Sequence, residues 1–458
     1  MNASPVNHTD QRPARRAAAR AVIIGLGRTG MSCARWLNAH GAQVAITDSR
    51  AEPPELKNLG LLSASVTLRL GGFDARLLDG ADQIVVSPGV SLREPIVRAA
   101  QARGIEVVGD IELFARHVSA PVVAVTGTNG KSTVTTLVAL MGERAGQAVR
   151  AGGNLGEPAL DLLEGPVPDW YALELSSFQL ETTHSLELRA ATVLNVTPDH
   201  MDRYDTLEQY ATAKARIFAH CTHAVVNLDD DLVARMPAAG QHALGFSVVP
   251  DRECDYGLVR GPGKRLSLAR RRRPLLALGE MKLTGLHNAA NALAALALGD
   301  AAGFDEAAML AVLRDFAGLP HRMQWVADRA GVRWINDSKG TNVGATLAAV
   351  GGMPGPLVVI AGGDGKGQDF APLAPGFRNK VRRAVLIGRD AEHVAAALRA
   401  VCEVEFASDM DDAVKRAAQA ARAGDTVLLS PACASLDMYR DYTHRGAVFA
   451  AAVQGLDA

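Results

Sequence analysis

The stretch Ala120-Pro-Val-Val-Ala-Val-Thr-Gly-Thr-Asn-Gly-Lys-Ser-Thr133 decides the fold. A β-branched apolar run feeds a glycine-rich turn, and a Thr-rich helical segment follows. That strand, turn and helix order places loop amides and a helix N-terminus around a phosphate. Gly127, Thr128, Asn129 and Gly130 supply amide donors, Lys131 a cation for the β and γ phosphates, Ser132 a hydroxyl for Mg2+, and Thr133 completes the motif. The pattern departs from strict G-x-x-x-x-G-K-[ST], because Val125 stands where the first glycine belongs.

Upstream, Ala21–Ile24, a helical Met31–Ala39, Gln43–Thr47 and Gln83–Val86 alternate in the rhythm of βαβ units and a parallel sheet. Gly25-Leu-Gly27-Arg-Thr-Gly30 follows the first of these strands, and Asp48 ends the next. By pattern alone this is a dinucleotide fingerprint and an NAD-dependent oxidoreductase is one reading. Only one short sheet precedes the second nucleotide motif, however, so a single nucleotide diphosphate fits better than a dinucleotide, which needs two halves.

Downstream, strands are predicted at Trp170–Leu175 and Ala191–Val196. After a helix over Asn288–Leu298, further strands are predicted at Val332–Ile335, Leu357–Ala361, Ala384–Ile387 and Thr426–Leu429. The expectation is a three-domain α/β protein: 21–113, 114–318 and 319–458, behind an exposed leader over 1–20.

Composition agrees with a globular α/β chain. Its 458 residues exceed one ordinary core. With 48 Lys and Arg against 49 Asp and Glu, any anion site must be local, and no nucleic-acid partner is expected. The run Arg270–Arg273 reads as the tip of a hairpin. No apolar stretch is long enough for a membrane span. Five scattered cysteines without a C-x-x-C pair support neither disulfides nor zinc and fit a reducing, cytoplasmic setting.

Other chemistry-bearing residues fall at strand ends, which face the ligand crevice in such folds. Glu174 ends a strand where a P-loop fold holds a carboxylate near Mg2+, and His200 lies just past another. Asn288 and Asn291 share one helix face, Asn288 reading equally well as an N-terminal cap. Arg322, Asp337 and Lys339 sit in loops, Gly362-Gly-Asp-Gly-Lys-Gly367 is a third glycine-rich turn, and Ser430–Ser435 is a small-residue loop. A nucleotide-binding regulatory protein without chemistry is a further reading, opposed by the full set of charged groups.

The blocks Gly-Thr-Asn-Gly-Lys-Ser-Thr, Leu-Glu-Leu-Ser-Ser-Phe-Gln-Leu-Glu, Asn-Val-Thr-Pro-Asp-His-Met-Asp-Arg-Tyr, His-Asn-Ala-Ala-Asn-Ala, Leu-Pro-His-Arg, Asn-Asp-Ser-Lys and Ser-Pro-Ala-Cys-Ala-Ser-Leu-Asp resemble, in order, those of the Mur ligases of peptidoglycan synthesis. The resemblance runs from about Ala21 to the C-terminus. It implies a Rossmann-like UDP-binding domain, a central P-loop ATPase-type domain with a parallel sheet, and a Rossmann-like C-terminal domain. It also implies a cytoplasmic, monomeric, ATP-dependent amide ligase that adds D-glutamate to UDP-N-acetylmuramoyl-L-alanine through an acyl phosphate. The Asp-Asn-Pro-Arg block of the diaminopimelate-adding members is absent.

Carried over by position, the resemblance assigns Arg28, Thr29, Asp48, Ser49, Arg50, Ser87, Pro88, Gly89, Asn154 and His200 to the UDP-muramoyl substrate. Lys131, Ser132, Asn288, Asn291, Arg322 and Asp337 would serve ATP, and Lys339, Thr341, Ser435, Leu436 and Tyr442 would receive D-glutamate. Ser132, Glu174, His200 and Lys214 would hold two magnesium ions, Lys214 as a carbamate. Gly340, Met323 and Tyr442 depart from the family pattern, and the last weakens its own assignment.

Overall fold

The computed structural model describes residues 20–62, 66–283, 285–353 and 355–456. The leader expected over 1–20 lies outside them except for Arg20. That residue begins the strand Arg20–Ile24 instead, its N–H donating to Asp82 Oδ2 at 2.8 Å. The strands form three sheets. The chain folds into two compact units, one of residues 1–122 and 150–187, the other of 123–149 and 188–458.

In the first unit, five parallel strands lie in the order Thr67–Leu70, Gln43–Asp48, Arg20–Ile24, Gln83–Val86, Glu106–Val108. Two of these were not anticipated. Thr67–Leu70 and Glu106–Val108 are short edge strands, half-buried or exposed at most positions, so they lack the apolar run that marks a central strand. The centre is plain: Ala21 to Ile24 are wholly buried, and each such Val or Ile side chain contributes about 1.5–3 kcal/mol. Strand order reverses beside Arg20–Ile24, so the turns after it and after Gln83–Val86 open a crevice at their carboxyl ends. Gly30 must be glycine, since a Cβ there would sit 1.9 Å from Gly25 O. The unit also carries Trp170–Glu174.

In the second unit, Val122–Thr126 begins a parallel series with Leu188–Val193, Cys221–Asn227 and Ala243–Phe246. Tyr256–Arg260, Leu266–Arg270 and Arg273–Ala277 extend it as an antiparallel meander. Arg270 pairs with Arg273, so the arginine run is the hairpin tip expected, with Arg271 and Arg272 at positive φ. The other sheet runs Gln324–Arg329, Val332–Asn336, Thr426–Leu429, Leu357–Gly362, Val381–Ile387, Glu403–Phe406, parallel except at its first edge.

Two local expectations are corrected. The strand expected over Ala191–Val196 is Leu188–Val193, because Asn195 leaves the ladder to bond the phosphate loop. Asn288 is not a cap: the helix is Leu286–Ala302 with Gly285 before it, and Asn288 lies inside the first turn.

Candidate active site

The first unit holds a cavity of ≈ 550 Å³ at the strand-order reversal. Arg28, Thr29, Asp48, Ser49, Arg50, Ser87, Pro88, Gly89 and Asn154 all line it, with Phe73 and Gln179 beside them. Asp48 Oδ2 accepts from Leu26 N at 2.7 Å and Arg50 Nη2 at 2.7 Å, and Oδ1 from Arg50 N at 2.8 Å and Nε at 2.9 Å. Burial alone would raise this carboxyl, but the Arg50 fork and two backbone amides hold it below its usual range. Asp48 therefore shapes the glycine turn and aims Arg50. Ser87 likewise donates its hydroxyl to Gly25 O at 2.7 Å, tying the two turns together. Arg28 and Arg50 are exposed on the cavity lining. Asn154 donates to Glu174 Oε1 at 2.6 Å, and Glu174 is buried at the end of its strand.

Gln179 was quoted in its block but given no role by sequence. Its amide donates to the buried carboxylate of Asp110 at 2.8 Å and its carbonyl accepts from Ser176 N at 3.0 Å. Both ends are fixed, so the group facing the cavity is held rigid.

In the second unit the phosphate loop lies between Val122–Thr126 and the helix Lys131–Arg144. Asn129 N donates to Asn195 Oδ1 at 2.8 Å, and Asn195 Nδ2 returns a bond to Asn129 O at 3.1 Å. Lys131 Nζ donates to the loop's own carbonyls, Gly127 O at 2.9 Å and Thr128 O at 3.0 Å. Gly130 has φ 88°, and a Cβ there would meet Asn291 Oδ1 at 2.4 Å, so only glycine lets that asparagine approach.

Lys214 is 1% exposed, on the helix Leu207–Ala215. It neither snorkels nor reaches water: Nζ donates to Gly127 O at 2.9 Å and lies 4.3 Å from the Tyr210 ring centroid. His200 holds φ 59°, a left-handed backbone costing of order 1–3 kcal/mol in a non-glycine residue. Burial first, then the neighbouring cations of Lys366, Lys131 and Lys214, push its pKa well down against the opposing Asp199. This favours the neutral imidazole.

Opposite the loop, a cavity of ≈ 480 Å³ is lined by Asn129, Gly130, Thr133, Asn288, Asn291, Arg322, Asp337 and Lys339. Arg322 Nη2 donates to Ser132 Oγ at 2.6 Å. Asp337 is buried, which raises its carboxyl to about 7 despite the Ser430 hydroxyl bonded to it. Lys339 Nζ lies 4.0 Å from the Tyr442 ring centroid. Ser435 is buried, and Leu436 is 71% exposed. Of the expected amino-acid residues Lys339 lines the cavity, and Thr341, Ser435, Leu436 and Tyr442 do not.

Sequence reasoning missed the groups joining the two sheets of this unit. Lys366, in the third glycine-rich turn, pairs with Asp199, and Asn342 Nδ2 donates to Asp199 Oδ2 at 3.2 Å and to Asn129 Oδ1 at 3.1 Å. The turn was visible as a motif; its partner next to His200 was not. Trp325, 58% exposed on the cavity wall, carried no motif at all.

The donor set suits magnesium. Within the second unit Ser132 supplies an oxygen atom of the kind it prefers and His200 an imidazole, and within the first Glu174 is a buried carboxylate. Among the described residues no three His, Cys, Asp or Glu cluster into a cage, and magnesium in phosphate sites uses few protein ligands plus the phosphates themselves.

Comparison with known proteins agrees with this geometry. Family models match at residues 19–109 (Mur ligase MurD-like, N-terminal domain), 125–299 (Mur ligase middle domain) and 321–433 (Mur ligase, glutamate ligase domain). UDP-N-acetylmuramoylalanine--D-glutamate ligase of Nitrosococcus oceani is 53% identical over 439 residues, 95% of this chain and 97% of the relative. The protein of that name from Methylococcus capsulatus is 51% identical, covering 95% of each chain. The solved UDP-N-acetylmuramate-alanine ligase of Thermotoga maritima shares the fold at 19% identity and a TM-score of 0.62, over 95% of this chain and 99% of that one. With the family models covering most of its length and its relatives at about half identity, the chain belongs to the Mur ligase family.

Proposed function

We propose that this chain is the ATP-dependent ligase that joins D-glutamate to UDP-N-acetylmuramoyl-L-alanine. The observation that carries the reading is a phosphate loop, closed by Arg322 on Ser132, facing a cavity walled by Asn288, Asn291, Asp337 and Lys339. The names of relatives 51–53% identical along nearly the whole chain support the choice of amino acid.

A carboxylate is a poor electrophile because its leaving group would be oxide. Transfer of the γ-phosphoryl of ATP to the substrate carboxylate makes an acyl phosphate and ADP. The D-glutamate amine then attacks that carbonyl, loses a proton and expels phosphate. Positioning and charge neutralisation supply most of the rate. Lys131 and the loop amides offset phosphate charge, and Arg322 and Asn291 fix the nucleotide. The exposed Arg28 and Arg50 hold the UDP end in the first unit. Lys339, Thr341, Ser435, Leu436 and Tyr442 receive the amino acid.

Two magnesium ions would be held by Ser132, Glu174, His200 and a carbamylated Lys214, and magnesium supplies charge neutralisation between two anions that must meet. Functional domains are set at 21–113, 114–318 and 319–458, in keeping with the three family spans. We place the enzyme in the cytoplasm, where its nucleotide substrates are; no helix among the described residues is long and apolar enough to cross a membrane.

The test is phosphate release against a panel of UDP-muramoyl precursors and amino acids of both hands. Turnover should require UDP-N-acetylmuramoyl-L-alanine with D-glutamate. Faster turnover with L-alanine or a diamino acid would overturn the assignment.

A further inference from the structure

Arg445, on the helix Tyr442–Gln454, is 1% exposed. Among the described residues no carboxylate forms a salt bridge with it, and Asp437 and Asp337 act on it only through space, although burying a cation is costly. Its guanidinium is instead spread over the two loops that hold the amino-acid residues. Nε donates to Ser338 Oγ at 3.0 Å and Nη2 to Ser338 O at 2.8 Å, next to Lys339. Nη1 donates to Cys433 O at 3.1 Å and Ala434 O at 3.2 Å, next to Ser435. Ser338 Oγ passes a bond on to Tyr442 O at 2.8 Å. One planar fork therefore sets the spacing of Lys339, Ser435 and Tyr442, which lie on three separate segments. Gly446 seals the arrangement: a Cβ there would stand 2.3 Å from His321 Nδ1, so the helix lies hard against the Leu-Pro-His-Arg turn.

We propose that Arg445 is a positioning residue for the amino-acid substrate, registering the Ser338 and Cys433–Ser435 loops on the helix that carries Tyr442. A buried positive charge behind these loops also favours a dianionic amino acid in front of them. The inference rests on the ligase reading, since it needs an amino-acid site at Lys339 and Ser435.

Its test is steady-state kinetics with each of the three substrates varied in turn. Arg445→Met, close in length and without charge or donors, should raise KM for D-glutamate at least tenfold while KM for ATP and for the UDP substrate stays within twofold. Arg445→Lys keeps the charge but not the fork and should fall between. If Arg445→Met does not fold, as judged by thermal denaturation, Ser338→Ala decides: it removes one acceptor and should raise KM for D-glutamate severalfold with the same selectivity. An unchanged KM for D-glutamate in the folded variant, or equal rises for all three substrates, would overturn the proposal. A wild-type enzyme that prefers another amino acid overturns the function instead, and the same selectivity is then read on that amino acid.

Discussion

Arg322 and Ser132 stand 190 positions apart in sequence, and Arg322 Nη2 donates to Ser132 Oγ at 2.6 Å. The bond puts a guanidinium from the Leu-Pro-His-Arg turn at the first turn of the phosphate-loop helix, where phosphate charge accumulates. A charge-assisted hydrogen bond of this kind contributes about 1.5–3 kcal/mol. Arg322→Lys, which loses the guanidinium that reaches Ser132, should lower kcat/KM for ATP by about 10- to 100-fold. Kinetics with ATP varied checks this, and a value near wild type would remove the role.

Lys131→Ala should abolish ATP turnover and leave binding of the UDP substrate nearly unchanged. The cavity lined by Arg28, Arg50 and Asn154 belongs to the first unit, and Lys131 to the second. Phosphate release and calorimetric titration with UDP-N-acetylmuramoyl-L-alanine separate the two. Loss of both in a folded variant would contradict the separation.

Lys214 invites a spectroscopic test, since its buried Nζ already has a structural task at Gly127 O. Incubation with 13C-labelled bicarbonate should give a carbamate carbonyl resonance that is missing from Lys214→Arg. That variant should be nearly inactive, because guanidinium does not form the carbamate. A spectrum without the resonance in active wild-type enzyme would leave Lys214 as an anchor of the loop only.

Asp337 predicts a pH dependence of stability. Burial raises its folded-state pKa to about 7, above an ordinary aspartate at 3.8. Between those values the unfolded chain releases the proton and the folded one keeps it. Stability contributed by the protonated form is thus complete below about pH 4 and declines as pH rises toward about 7. Asp337→Asn keeps the acceptor for Met323 N without titrating. Its Tm relative to wild type should therefore rise between pH 4.5 and 8, by an amount on the order of a few kcal/mol in stability. Parallel Tm curves would refute the buried ionisation.

The sheet centres, the phosphate loop and the glycine fingerprint were legible from the residues alone. Each is encoded locally: a wholly apolar β-branched run is a buried strand, and glycines before a helix make an anion-binding turn. The same locality explains why two thin edge strands, Thr67–Leu70 and Glu106–Val108, were missed. How the side chains are partnered follows from the packing of the elements. Asp48 and Ser87 line the cavity, and the fold also uses their oxygen atoms to hold Leu26, Arg50 and Gly25. The Lys366–Asp199 pair and the Arg445 fork bring together residues 167 and about 107 positions apart. No local pattern encodes such partners, because a hydrogen bond depends on distance in space, and that distance is set by how the sheets and helices pack.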